Sequence, residues 1–194
     1  MGLTAIALEA ADIDSQFRGP NRDGKYPGER LLKLWPDAGP KLLWDVEGLG
    51  AGHGTVAVTD QVIYVTGMPD DKGILYAFDL SGKSLWQSEY GKEWTGDYPG
   101  ARCTPTVVGE LLYLESGQGE VVCLDSNSGE IKWAVNLLKR FNAENISWGM
   151  TESLLIDGDN VICTPGGPQH NVVALNRFNG HVVWTSKGNG EPAA

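Results

Sequence analysis

Apolar residues occur along this chain in short runs that are separated by turns rich in Gly, Asp and Asn. Residues 62–66 form one such run, and residues 74–78 and 83–88 follow it after turns at residues 70–73 and 79–82. β-branched and aromatic side chains fill these runs, which is typical of strands. The pattern therefore predicts consecutive short strands joined by tight turns.

The strand-and-turn pattern recurs in residues 75–86, 121–133 and 172–184, and a shorter copy covers residues 40–44. The residues that end these copies are Trp44, Trp86, Trp133 and Trp184, which lie 42, 47 and 51 residues apart. A period in the forties fits either a four-stranded propeller blade or a pair of helices. The helical alternative is excluded because no long stretch keeps a 3.6-residue period. A single helical turn is predicted at residues 136–141.

Each complete copy carries the same turn chemistry before its tryptophan. An Asp or Asn side chain can accept a hydrogen bond from the backbone two residues later, and a Gly then supplies a positive φ. A tryptophan on the outgoing strand can cover the next blade, so one per repeat predicts a packing role rather than a stacking platform for a ligand. The predicted structural docking residues are Asp79, Asp125, Gly82, Gly129, Gly180 and the four tryptophans.

The composition narrows the possible functions. The 25 acidic residues outnumber the 15 basic ones, which gives a net charge of −10 and argues against nucleic acid as a partner. There is no apolar run long enough to span a membrane. The three cysteines, Cys103, Cys123 and Cys163, are widely spaced, form no zinc motif and are predicted to be buried. We predict no metal-ligating residues.

The repeated unit, with its Asp, Gly and Trp at fixed spacing, resembles the tryptophan-docking motif of the quinoprotein alcohol dehydrogenase-like repeat family. Residues 123–133 fit that motif at every position except the first. The copy at residues 174–184 has Asn176 in place of Asp, and the copy at residues 77–86 is one residue short before its Gly. The segment 16–24 is similar to the start of exported bacterial members, which are called PQQ-binding-like repeat proteins.

The resemblance implies an all-β fold, a β-propeller of four-stranded antiparallel blades that commonly number eight. We expect residues 16–194 to form an incomplete arc of three to four blades, and the chain to be the N-terminal part of one of about 400 residues. Such an arc is expected to be marginally stable or self-associating. Residues 1–15 are predicted to be either a leader or the remnant of an export signal, since residues 3–11 are apolar and rich in Ala.

Candidate site residues lie where the first strand of each blade is expected to begin. Alignment of the repeats places residues 53–55, 102–104 and 151–153 at these openings, which ring the central channel of a propeller. His53 can transfer a proton or can be an ordinary hydrogen-bonding residue. Arg102 can hold a carboxylate or a quinone oxygen, or can pair with an acid of a neighbouring blade.

Two further candidates lie in the same regions. Glu152 can act as a general base or a calcium ligand, or can be a solvated carboxylate on the channel wall. Trp148 is outside the repeat spacing, so it is a candidate stacking surface for a planar ligand or a packing residue beneath its loop.

Two functions remain open. The first is a non-catalytic scaffold, exported to the periplasm or cell surface, without a cofactor and similar to the lipoprotein of the outer-membrane protein assembly machine. Its channel mouth would bind a protein, a small molecule or a glycan. The alternative is an alcohol dehydrogenase that depends on pyrroloquinoline quinone and calcium, with Glu152 as the base. The resemblance favours this alternative less, because the adjacent cysteine pair and the haem motif of such enzymes are absent from the sequence.

Overall fold

The computed structural model describes residues 14–26 and 32–191, and twelve strands dominate them. They form three sheets that we call blades 1, 2 and 3. Blade 1 contains β1 (Ala57–Val58), β2 (Val62–Gly67), β3 (Lys72–Asp79) and β4 (Ser84–Lys92). Blade 2 contains β5 (Thr106–Val108), β6 (Leu111–Glu115), β7 (Glu120–Asp125) and β8 (Ile131–Asn136). Blade 3 contains β9 (Leu155–Asp157), β10 (Asn160–Cys163), β11 (Val173–Asn176) and β12 (Val182–Thr185).

In every blade the strands are antiparallel and pair in sequence order, so each blade is a meander. The prediction of an all-β fold with four-stranded blades is confirmed. Within the described residues there is one helix, α1 (Leu137–Phe141), at the predicted helical turn. Asn136 caps it by accepting a hydrogen bond from the Lys139 N–H. The predicted turn at residues 70–73 is shorter than expected, because β3 already begins at Lys72.

Blade 2 is covered on both faces, which explains why its strands read as continuous apolar runs. Successive side chains of a strand point to opposite faces of the sheet. Leu112 and Leu114 accordingly belong to a core shared with blade 1, whereas Tyr113 belongs to a core shared with blade 3. β7 alternates in the same way, with Val122 in the first core and Cys123 in the second. The blades therefore associate through apolar faces rather than through strand edges.

Tryptophans connect each blade to the turn of the next one. A Cβ atom added at Gly129 would lie 2.6 Å from the Trp86 ring, and one at Gly180 would lie 2.8 Å from the Trp133 ring. The same relation joins Gly82 to Trp44, at 2.6 Å. These distances are too short for any side chain, so glycine lets the indole ring lie directly on the turn backbone.

The turns that receive these rings share one hydrogen-bonding arrangement. The Asp79, Asp125 and Asn176 side chains each accept a hydrogen bond from the backbone N–H two residues later, at 2.8 to 3.0 Å. The following glycines have φ angles of 84°, 73° and 71°. The register of the two flanking strands shifts next to each turn, which marks a β-bulge.

All three cysteines are buried and free, as predicted. Burial raises the pKa of the Cys123 thiol to about 11, and it also raises the pKa of Cys103 and Cys163. Thiols with raised pKa values are poor nucleophiles at neutral pH. The cysteines are therefore small core residues.

Residues 14–26 lie along the first strands of all three blades. Ser15 pairs with Val107 of β5, whose N–H donates to the Ser15 carbonyl at 2.8 Å. The Ser15 hydroxyl accepts a hydrogen bond from the Val58 N–H of β1 at 3.1 Å. Arg22 donates to the Ile156 carbonyl of β9 at 3.2 Å. We call this stretch the axial segment, because it contacts the strands on which the blades converge.

The predicted leader, residues 1–15, falls outside the described residues except for Asp14 and Ser15. In the part of the chain that the structure describes, no helix is long and apolar enough to cross a membrane.

Candidate functional site

The openings of the three first strands are joined by hydrogen bonds between residues that are 49 positions apart. The Thr55 N–H donates to the Thr104 hydroxyl at 3.1 Å, and the Thr104 N–H donates to the Ser153 hydroxyl at 3.1 Å. The structure therefore brings together the segments that the repeat alignment placed at equivalent positions. Two of these openings belong to longer connectors between blades, residues 93–105 and 142–154. The two connectors lie side by side, with Tyr98 against Trp148 and Trp94 against Gly149.

His53 is held at the edge of this arrangement. Its backbone N–H donates to the Ala101 carbonyl at 2.7 Å, and its ring Nε2 lies 3.3 Å from the Pro99 carbonyl oxygen. The side chain is exposed, and among the described residues its ring contacts a backbone oxygen rather than an acidic group. A histidine without a carboxylate partner is poorly prepared to act as a general base.

Arg102 holds the connector that precedes it. Its guanidinium donates to the backbone carbonyls of Tyr98 and, at 3.4 Å, of Asp97. Within the described residues it forms no ion pair. Tyr98 has a φ of 54°, a left-handed conformation that is rare for a bulky residue. Arg102 thus stabilises a strained loop instead of pairing with an acid of a neighbouring blade.

Glu152 is partly buried and hydrogen-bonded within blade 3. One carboxylate oxygen accepts from the Thr164 N–H at 2.9 Å and from the Thr164 hydroxyl at 2.7 Å. Burial raises the pKa of Glu152, and these two hydrogen bonds act in the opposite direction. The carboxylate is therefore not a freely solvated group on a channel wall.

Trp148 is 52% exposed and meets Tyr98 from the neighbouring connector. Their ring centroids are 6.0 Å apart and the ring planes are inclined by 44°. Trp94, which sequence reasoning missed, lies beneath this pair, because a Cβ atom added at Gly149 would be 2.8 Å from its ring. The 49-residue offset between connectors could have revealed the pair, since it places Tyr98 opposite Ser147, beside Trp148.

Two buried glutamates were also missed. Glu93 accepts hydrogen bonds from the Tyr90 hydroxyl at 2.5 Å and from the Gly117 N–H at 2.6 Å, so it joins blade 1 to a turn of blade 2. Glu115 is 2% exposed, and neither of its carboxyl oxygens has a hydrogen-bond partner among the described residues. Burial raises the pKa of both, and the charges of Glu152 and Glu93 raise that of Glu115 further. A buried acid with no partner is favoured in its protonated form.

The described residues do not fit a calcium-bound quinone. They contain no cluster of three or more His, Cys, Asp or Glu side chains that could hold a metal ion. The Asn145 amide donates to the Gly117 carbonyl at 2.8 Å, and Glu152 is bonded to Thr164. Calcium requires six to eight converging oxygen ligands. Arg102, the candidate for a quinone oxygen, uses one guanidinium nitrogen to bind two backbone carbonyls, and its buried Nε has no hydrogen-bond partner among the described residues.

Comparison with solved structures relates the fold to dehydrogenases. A europium-containing methanol dehydrogenase is 19% identical, with a TM-score of 0.58 over 77% of this chain and 27% of that enzyme. A quinohemoprotein alcohol dehydrogenase from Comamonas testosteroni is 19% identical, with a TM-score of 0.56 over 73% of this chain and 22% of that enzyme. At this identity the likeness concerns the fold alone.

Comparison of sequences points to a different relative. Outer membrane protein assembly factor BamB from Kangiella koreensis is 28% identical over 141 residues, which cover 69% of this chain and 32% of that protein. The chain thus spans about a third of the length of this relative. A model of the PQQ repeat family, described as outer membrane protein assembly factor BamB, matches residues 71–194. Because this match covers well over half of the chain, the chain belongs to the BamB-like family of PQQ repeats.

Proposed function

We propose that this chain contributes blades to a non-catalytic propeller that acts as a binding scaffold in the cell envelope. The observation that carries the proposal is that the three polar candidates predicted from the sequence, Arg102, Glu152 and His53, each contact groups of the protein itself. Arg102 binds backbone carbonyls, Glu152 binds Thr164, and the His53 ring faces a carbonyl oxygen. A base or an electrophile with these partners holds loops in place instead of meeting a substrate.

The axial segment adds support. It contacts the first strands of the three blades through Ser15 and Arg22, and in a complete propeller these strands are expected to line the channel. A ligand within the channel would have to share this space with the protein's own backbone. The connectors at the channel mouth are therefore better placed for binding than the channel interior.

The relative from Kangiella koreensis is named as an outer membrane protein assembly factor. We accordingly propose a periplasmic location and a protein partner for the complete propeller. Scaffolds of this kind need no cofactor, since a repeat array offers an extended surface and rigid loops. The alternative, an alcohol dehydrogenase dependent on pyrroloquinoline quinone and calcium, requires a ligand set that the described residues do not bring together.

The test is to titrate the 194-residue chain with pyrroloquinoline quinone in the presence of calcium, and to assay dye-linked alcohol oxidation in the same samples. We expect neither saturable quinone binding nor turnover. Micromolar binding together with turnover that Glu152→Gln abolishes would overturn the scaffold proposal in favour of the enzyme. Tryptophan fluorescence can follow binding, because Trp148 and Trp94 lie on the connectors that precede the first strands of blades 2 and 3.

A further inference from the structure

Two exposed aromatic side chains meet between the connectors that precede the first strands of blades 2 and 3. Tyr98 is 71% exposed, and Trp148 lies against it in the tilted arrangement described above. Single exposed apolar residues are ordinary on protein surfaces. Tyr98 and Trp148 belong to separate connectors and are 50 positions apart, and yet their rings meet. We call the surface that they share the aromatic platform.

Trp94 links the two halves of this platform from below. Its indole Nε1 donates to the Asp97 carbonyl at 3.1 Å, which fixes the loop that carries Tyr98. Its ring also lies under Gly149, whose φ of 76° turns the chain immediately after Trp148. Trp94 thus contacts the backbone next to both exposed rings, at Asp97 and at Gly149.

The platform is also held in a strained conformation. A φ of 54° lies in the left-handed region, which is unfavourable for a tyrosine, so the surroundings must stabilise this conformation. Arg102 does so by donating to the carbonyls of Asp97 and Tyr98. Strained residues of this kind cluster at ligand-binding sites, where the strain keeps a side chain in its binding position.

On these observations we propose that Tyr98 and Trp148 bind the ring of a saccharide. The inference rests on the proposed function, since it names a ligand class for the channel mouth of the scaffold. A pyranose ring has an apolar C–H face and a rim of hydroxyl groups. Aromatic faces carry a negative quadrupole that attracts polarised C–H groups, and the neighbouring polar groups can bond to the hydroxyls.

The surroundings of the platform favour a saccharide over an apolar protein segment. Between residues 93 and 172, all of which are described, the exposed large hydrophobic residues are Tyr98, Ile131 and Trp148. Ile131 belongs to β8, away from the connectors. The exposed residues nearest to the two rings along the chain are Thr95, Gly96, Asp97, Pro99 and Ser147, and Pro99 is the one with an apolar side chain. Flat rings with a polar rim match a sugar better than the apolar centre of a protein interface.

The experiment follows the indole N–H signals of the seven tryptophans in nuclear magnetic resonance spectra of the full chain. Cellobiose and N,N′-diacetylchitobiose are the saccharide probes, and N-acetylarginine amide represents a basic protein side chain that stacks on aromatic rings. We expect the Trp148 signal, assigned with Trp148→Phe, to shift saturably with at least one saccharide. Tyr98→Ala is expected to weaken this binding about tenfold, whereas Tyr98→Phe retains it because the ring remains.

Trp35 is the matched control, since it is 69% exposed and lies outside the connectors. A saccharide shift of equal size at Trp35 would mean non-specific contact and would overturn the proposal. An absence of saturable shifts, or a response to the arginine probe alone, would overturn it as well. These outcomes are independent of the quinone titration. If no saccharide binds, the scaffold function is still tested separately by the quinone titration and the oxidation assay.

Discussion

Blades 2 and 3 carry the same tryptophan at the same strand position, and yet the two side chains have different environments. Trp133 of β8 is 9% exposed, its indole donates to the Arg177 carbonyl at 2.9 Å, and its ring covers Gly180 of blade 3. Trp184 of β12 is 44% exposed. No blade follows it within the described residues. The motif therefore stabilises a blade only when a neighbouring turn receives the ring.

The same contrast applies to whole sheets. Blade 2 buries both faces, through Leu114 towards blade 1 and Tyr113 towards blade 3, whereas β12 is largely exposed. In a repeat array stability is approximately the sum of each unit and its interfaces. Among the described residues blade 2 has two interfaces and blade 3 has one, so in this chain equivalent substitutions should cost more in blade 2.

The largest effect is expected from the tryptophans themselves. Trp133→Ala removes a buried ring and its hydrogen bond and should lower the free energy of unfolding by about 3–5 kcal/mol. Trp184→Ala removes a half-exposed ring and should cost less than about 1 kcal/mol. Urea denaturation of both variants measures the difference. Equal losses would mean that the tryptophan stabilises its own blade and not the interface.

A smaller effect is expected at the glycines that receive the rings. Gly129→Ala combines a positive φ of 73° with a Cβ only 2.6 Å from Trp86, and should cost about 2–3 kcal/mol. Gly109 is the matched control, since its φ is 58° and a Cβ there meets nothing within 4 Å. Gly109→Ala should cost only the backbone strain, about 1 kcal/mol.

Denaturant titrations of the two glycine variants isolate the contribution of the indole contact. In the double variant Gly129→Ala with Trp86→Ala, the added methyl group no longer meets a ring. The glycine substitution should then cost as little as it does at Gly109. A cost that is unchanged in the Trp86→Ala background would assign the whole effect to backbone strain.

The repeated features of the fold could be predicted because their causes are local. An Asp or Asn, a Gly and a Trp at fixed spacing define a turn and its outgoing strand, and β3, β4 and α1 lie close to the expected positions. The apolar runs of blade 2 likewise reflect burial on both faces. These features follow from short stretches of sequence and repeat from blade to blade.

The contacts of the candidate site could be predicted only in part. The repeat alignment found the strand openings at Thr55, Thr104 and Ser153, but the partners expected for Arg102 and Glu152 are not those in the structure. Those partners, backbone carbonyls and Thr164, depend on loop conformations that differ between repeats. The pairing of Ser15 with Val107 joins positions 92 residues apart and has no counterpart in the repeat.

The smallest change in the free energy of unfolding is expected from a substitution of Glu115, which is buried between the blades. The change should be small in mildly acidic solution and should grow as the pH rises. Burial and the charges of Glu152 and Glu93 raise its pKa above the ordinary value of 4.5. At a pH between 4.5, the ordinary pKa of the unfolded chain, and the raised pKa of the folded state, Glu115 keeps a proton in the folded protein that it has released in the unfolded chain. Stability from this group is therefore complete below pH 4.5 and is lost as pH rises through the raised pKa of the folded state.

Glu115→Gln tests this dependence because glutamine has the shape of the protonated acid and cannot ionise. At mildly acidic pH the variant should unfold at nearly the same urea concentration as the wild type. At higher pH it should become the more stable of the two, since the wild type must then bury a charge or keep a costly proton. Glu89→Gln is the control on exposed β4, where Glu89 pairs with Lys72 at 2.9 Å, and it should keep the wild-type slope. If Glu115→Gln also kept the wild-type dependence of stability on pH, that dependence would have to come from Glu93 or Glu152. The comparison of buried and exposed positions would then be supported by the tryptophan and glycine variants alone.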